Sequence, residues 1–104
     1  MHRLTIQYAV PDDPQAFDTR YAESHVPLVL PVPGLRAFSW SKVRPMGGEQ
    51  SVYLVAQLDF DDREAMKAAL ASPEMTAAGL DADDLGVPRV MFSGEVTTLP
   101  AARD

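Results

Sequence analysis

Leu4, Ile6, Tyr8 and Val10 alternate with Arg3, Thr5 and Gln7, the period of a half-buried strand, and Pro11 ends the pattern. Asp12-Asp13-Pro14 follows: a side-chain acceptor ahead of a proline suited to a first helical turn, with acidic charge at the positive end of the helix dipole. The spacing predicts a helix from about Pro14 to His25, on which Phe17, Tyr21 and His25 recur at i, i+4 and i+8 as one stripe. Pro27 biases Val26 away from helical dihedrals, which places His25 in the last turn. Pro27, Pro31 and Pro33 then forbid a regular ladder and predict an ordered connector up to Gly34.

A second strand reads from Leu35 to Arg44, with Leu35, Ala37, Ser39, Ser41 and Val43 on one face and Arg36, Phe38, Trp40 and Lys42 on the other. The segment Pro45 to Glu49 turns the chain into a third strand, about Val52 to Phe60, so the two form an antiparallel pair. Asp61 with Glu64 three residues on resembles a capping box, so a helix starts at Asp61 or Asp62, turns Ala65, Met66, Ala69 and Leu70 inward, and halts near Ser72. Ser72-Pro73-Glu74 offers another N-terminus, and a short helix is expected from Pro73 to Ala78 before Gly79, with Leu80 to Pro88 as a loop. The last strand, about Arg89 to Thr98, sets Val90, Phe92 and Val96 against Met91, Ser93 and Glu95, and the tail from Pro100 to Asp104 should fray.

The order β, α, β, β, α, β is that of a ferredoxin-like α+β subunit, one antiparallel sheet with helices on one face. The helix-facing set is expected to be Leu4, Ile6, Tyr8, Leu54, Ala56, Leu58, Val90 and Phe92. On the opposite face Phe38, Trp40, Tyr53, Val55 and Met91 would mix with Thr5, Gln7 and Gln57, leaving aromatics in water unless another sheet covers them. Two copies packed sheet against sheet, a homodimeric α/β barrel, would bury that face.

A length of 104 residues accommodates one small core, so 1–104 is read as one domain. Nine Lys and Arg against fifteen Asp and Glu give a formal charge of −6, which argues against a nucleic-acid partner because phosphates would repel the chain. No apolar run approaches the ~20 residues of a membrane span, and the start lacks the apolar stretch and cleavage site of a signal peptide, so a cytoplasmic location and no membrane partner are expected. With no cysteine there is no disulfide framework and no thiolate nucleophile.

His25 is the one internal histidine and, with an unperturbed pKa near ~6.5, the side chain best suited to exchange protons. Tyr21 lies one turn before it, so a phenol and an imidazole can face one pocket as an acid–base pair. The spacing also allows His25 simply to cap the helix C-terminus, and by itself favours that plainer role. Asp81, Asp83 and Asp84 before Gly86 invite a calcium reading, but the twelfth position from Asp81 is Phe92 where a bidentate glutamate is required, which leaves a solvated loop. Gly47-Gly48 lacks the lysine of a phosphate loop, and no histidine pair is spaced to hold a metal, so no metal site is expected.

The stretch Phe17-Asp18-x-x-Tyr21-x-x-x-His25-x-Pro27-Leu28, then Pro33-Gly34-Leu35 and the strand Phe38-Ser39-Trp40-Ser41-Lys42-Val43, resembles the EthD family over nearly the whole chain. The resemblance implies a ferredoxin-like subunit that dimerises into an α/β barrel, and it marks Tyr21 and His25, with Pro27 and Leu28 shaping the turn. The family is named for association with an ether-degrading oxygenase system, many members have no assigned reaction, and relatives in the superfamily include lactone isomerases, dehydratases and cofactor-independent monooxygenases. The expectation is a homodimeric pocket protein without a cofactor, since no dinucleotide fingerprint is present. His25 would act as acid or base and Tyr21 would orient an oxygen of a small hydrophobic ketone, lactone or aromatic. Phe17, Leu4, Ile6, Tyr8 and Leu28 would line the pocket, with entry near the proline-rich connector. The alternatives are a non-catalytic accessory or ligand-binding protein and a cofactor-independent monooxygenase.

Overall fold

In a computed structural model, which describes residues 1–102, Leu54, Ala56, Leu58 and Phe60 are buried while Val55, Gln57 and Asp59 between them are half-buried, as strict alternation requires. This strand, β3 (Leu54–Phe60), pairs antiparallel with β1 (His2–Tyr8) and with β2 (Ala37–Lys42). The edge strand β4 (Arg89–Glu95) pairs antiparallel with β1, giving one sheet of order β2-β3-β1-β4. β2 and β3 are shorter than predicted, yet ladder-like bonds flank them: Arg36 N–H donates to Asp59 O at 2.8 Å and Val43 N–H to Tyr53 O at 2.9 Å. β4 likewise ends at Glu95, short of Thr98, and Pro100 to Ala102 adopt no regular structure. Arg103 and Asp104, the rest of the tail expected to fray, lie outside the described residues.

The first helical region runs further than predicted. Helix α1 (Pro14–Arg20), capped by the Asp13 carboxylate accepting from Ala16 N–H, continues into a π turn (Tyr21–His25) and then helix α2 (Val26–Val29). Pro27 does not end it. In an α-helix its ring would crowd the carbonyl four residues back and its missing N–H would leave a gap; the wider π turn just before it, closed by Val26 N–H on Tyr21 O, removes the crowding. Gly34, at φ +79°, supplies the left-handed residue that redirects the chain towards β2.

Helix α3 (Arg63–Leu70) is capped by Asp62, whose carboxylate accepts from Ala65 N–H at 2.8 Å, so the Asp61 and Glu64 pair is not the cap. Asp61 instead holds Arg36 through two bonds. Helix α4 (Pro73–Asp84) starts at Ser72 as predicted but passes through Gly79 and ends six residues beyond Ala78, because Ala78 and Ala82 both bury against the rest of the fold. The acidic segment expected as a solvated loop is therefore its last turn.

Register fixes which side chains share a face. Leu4, Ile6 and Tyr8 stand beside Leu58, Ala56 and Leu54, and the same rows contain Phe38, Trp40 and Lys42 of β2 and Ser93, Met91 and Arg89 of β4. Phe38, Trp40 and Met91 thus lie on the helix-covered face, which corrects the outward face predicted for them. Tyr53 also turns to the helices: its ring meets Phe17 edge-on and its hydroxyl donates to Asp18 at 2.8 Å. Val55 is on the outer face as expected, in the row of Gln7 and Val90, and Phe92 is beside Thr5. Val90 and Phe92, predicted inward, are therefore outward, 61% and 49% exposed.

Candidate active site

Tyr21 is the hub of an aromatic cluster built by the first helix on the sheet. Its ring stacks on Phe17 at 5.8 Å, takes Tyr8 edge-on at 5.8 Å and Trp40 at 5.6 Å, and lies 5.0 Å from the His25 ring. The four-residue spacing of Tyr21 and His25 thus survives the π turn as direct contact.

His25 is 4% exposed, and its Nδ1 is 2.9 Å from Oδ2 of Asp81. A carboxylate accepts hydrogen bonds and does not donate them, so Nδ1 bears the proton and Nε2 presents its lone pair. The other Asp81 oxygen accepts from Arg20 at 3.1 Å, and Arg20 also donates to the Asp84 carbonyl at 2.7 Å, tying α1 to the last turn of α4. His25 is therefore no helix cap: its partner is a side chain 56 residues away. Its pKa is lowered, chiefly because burial disfavours the imidazolium; the Asp81 hydrogen bond and charge oppose this, while Arg89 and Arg20 add to it.

An apolar cavity of about 110 Å³ lies between the helices and the sheet beside His25. Tyr21 and His25 line it, as do Leu4, Ile6 and Tyr8 of the predicted pocket set. Phe17 and Leu28 do not; Phe17 lies beneath Tyr8 and Tyr21 in the core, and Leu28 packs against Val29, Val32 and the other cluster of core residues. Phe38 and Met91, expected at a dimer interface, line the cavity instead. Entry is also displaced from the expected connector. The exposed lining residues are Leu70 and Met91, so the opening lies between the α3–α4 junction and β4.

The Tyr8 hydroxyl is buried without a hydrogen-bond partner. Its pKa is pushed up to about 12, first by burial and further by Asp81 and Asp83, against the opposing charge of Arg89. Burial raises Tyr21 as well, with Tyr8 reinforcing it. Both phenols are thus fixed as proton-bearing donors at neutral pH. Asp81 and Arg89 are the side chains of this site that pattern reading missed. Arg89, paired with Asp83 at 2.9 Å, stands beside Tyr8 in the β1–β4 register. A helix extended beyond Gly79 would have shown Asp81 next to the inward stripe Ala78 and Ala82, the one signal available.

A ferredoxin-like α+β chain with a buried His–Asp pair and two phenols around a small apolar cavity defines a pocket protein. Residues 11–85 match the family model of the EthD domain, and the chain belongs to the EthD family. An uncharacterized 11.0 kDa protein of the thcB-thcC intergenic region of Rhodococcus erythropolis is 39% identical over 103 residues, 96% of this chain and all of that one. The crystal structure of an EthD family protein of Bacillus halodurans superposes with a TM-score of 0.85 at 34% identity, over 93% of this chain and 99% of the other. SnoaB, a cofactor-independent oxygenase of Streptomyces nogalater, shares the fold at a TM-score of 0.64 and 19% identity, over 96% of this chain and 97% of that one. Among the described residues no helix is long and apolar enough to cross a membrane.

Proposed function

We propose that the protein is the subunit of a homodimeric enzyme that moves protons on a small hydrophobic carbonyl compound or lactone. His25 is the acid–base group, Asp81 holds its tautomer and Tyr21 orients or polarises the substrate oxygen. The observation that carries this reading is the buried Nδ1 to Asp81 contact at 2.9 Å on the wall of an apolar cavity, which leaves Nε2 as the basic atom. Nε2 takes a proton from the carbon next to the carbonyl; the C–H electron pair delocalises onto the carbonyl oxygen, and return of a proton to either end completes isomerisation or exchange. A phenol kept protonated by burial supplies the hydrogen bond that the developing enolate oxygen requires.

In heavy water, NMR of a panel of small ketones and lactones reads the loss of α-proton signals. The wild-type protein should accelerate exchange, and His25→Gln should remove about 10²–10⁴-fold of it, the contribution of one acid–base group. Binding without exchange in the wild type would overturn the catalytic reading and leave a ligand-binding protein.

A further inference from the structure

Gly79 has no structural reason to be glycine. It lies within α4, its φ is not positive, and a methyl group built on it meets no atom within 4 Å. Glycine at an interior helical position weakens the helix relative to alanine, so the missing side chain has a cost with no return in the folded chain itself. Gly79 does line the cavity, and so do Leu70, Met75 and Met91 around the opening. Leu70 and Met91 are 43% and 55% exposed, leaving apolar surface at the rim of a mostly apolar hole. The cavity volume, about 110 Å³, is below the ~150 Å³ that encloses a benzene ring and well below the ~300–1,000 Å³ of ordinary ligand pockets. Only a head group fits inside.

We propose that Gly79 is a specificity-determining residue that keeps this mouth open, and that the substrate is elongated: a carbonyl-bearing head within the cavity and an apolar tail leaving over Gly79 between Leu70 and Met91. The tail covers the two exposed side chains, and any side chain on residue 79 occupies its path. This rests on the carbonyl-substrate reading above, but it is tested by binding and not by turnover.

The experiment compares 2-butanone with 2-nonanone, which carries five more methylene groups on the same small head, by calorimetric titration of the full chain. Wild-type protein should prefer the tailed ketone by roughly 30-fold, the yield of burying about half of five methylene groups. In Gly79→Leu that preference should fall to threefold or less, through loss of 2-nonanone affinity. Gly79→Ala should melt higher by roughly 4–8 °C and lose part of the preference, less than Gly79→Leu does. Met91→Gln, at an exposed position, should lower the preference without altering the fold. The proposal is overturned if wild-type protein binds neither ketone or does not prefer the tail, or if Gly79→Leu keeps the preference. It is also overturned if Gly79→Leu changes the sedimentation of the protein instead, which would give the mouth to a partner chain. A tail preference dependent on Gly79 in a protein that exchanges no α-protons would sink the acid–base reading of His25 alone, and exchange without tail preference would do the reverse.

Discussion

Burial makes His25 a weaker base than a free imidazole and also keeps it in its working, neutral form to lower pH. Exchange should therefore hold its rate as pH drops past the ordinary value of 6.5 and decline only through the lower folded-state pKa. The same depression acts on stability with a definite sign. Above the unfolded value both states are neutral and the full stability is present; below it the unfolded chain binds the proton first, so stability falls as pH falls until the folded-state pKa is passed. Urea titrations across this range should show that loss in wild-type protein and a smaller one in His25→Gln. Asp81→Asn tests the tautomer itself, because an amide can turn its N–H towards Nδ1 and strip Nε2 of its lone pair. It should slow exchange within the same ~10²–10⁴-fold range while the apolar cavity still binds ketone. Tyr8 offers a converse test. Its buried hydroxyl has no partner, so Tyr8→Phe should leave the melting temperature unchanged or raise it, by up to about 1 kcal/mol of stability, whereas an ordinary buried tyrosine would lose a hydrogen bond.

At the scale of elements, α4 connects packing to chemistry, since the helix that buries Ala78 and Ala82 also carries Asp81 to His25. Its N-terminus hangs on Ser72, whose hydroxyl donates to Ala69 O at 2.6 Å and accepts from Met75 N–H at 3.1 Å. Ser72→Ala should cost about 1–2 kcal/mol by chemical denaturation and loosen the His25–Asp81 contact, seen as a shifted imidazole titration by NMR. The start of this helix was legible from Ser72-Pro73, because capping chemistry is local; its end was not, because two buried alanines override a glycine only once the sheet is in place. The same division runs through the sheet. β1 and β3 alternate cleanly and announce their buried face, whereas Val90, Met91 and Phe92 are apolar on both faces, so only the pairing of Met91 with Ile6 decides which points inward. The Tyr21 and His25 stripe was readable from spacing, but its partner Asp81 depends on two elements meeting across 56 residues.

For the molecule as a whole, moving Phe38, Trp40 and Met91 to the helix side changes what a second copy would meet. The outer face holds three rows across all four strands: Ser41, Val55, Gln7 and Val90; Ser39, Gln57, Thr5 and Phe92; and Ala37, Asp59, Arg3 and Gly94, where Arg3 and Asp59 pair at 2.7 Å, so its exposed large apolar side chains are gathered on β4. Val90 and Phe92 are its most prominent apolar members, and sheet-against-sheet packing is the arrangement that would cover them. Phe92→Glu should then give a folded monomer by sedimentation, since a charge placed opposite its own symmetry mate opposes a two-fold contact. Trp40→Ser should leave association intact, because Trp40 rests on Tyr21 on the other side of the sheet, and should instead disturb ligand binding. Dissociation by Trp40→Ser and not by Phe92→Glu would mean that copies meet through the helix side, where a partner would close over the aromatic cluster itself.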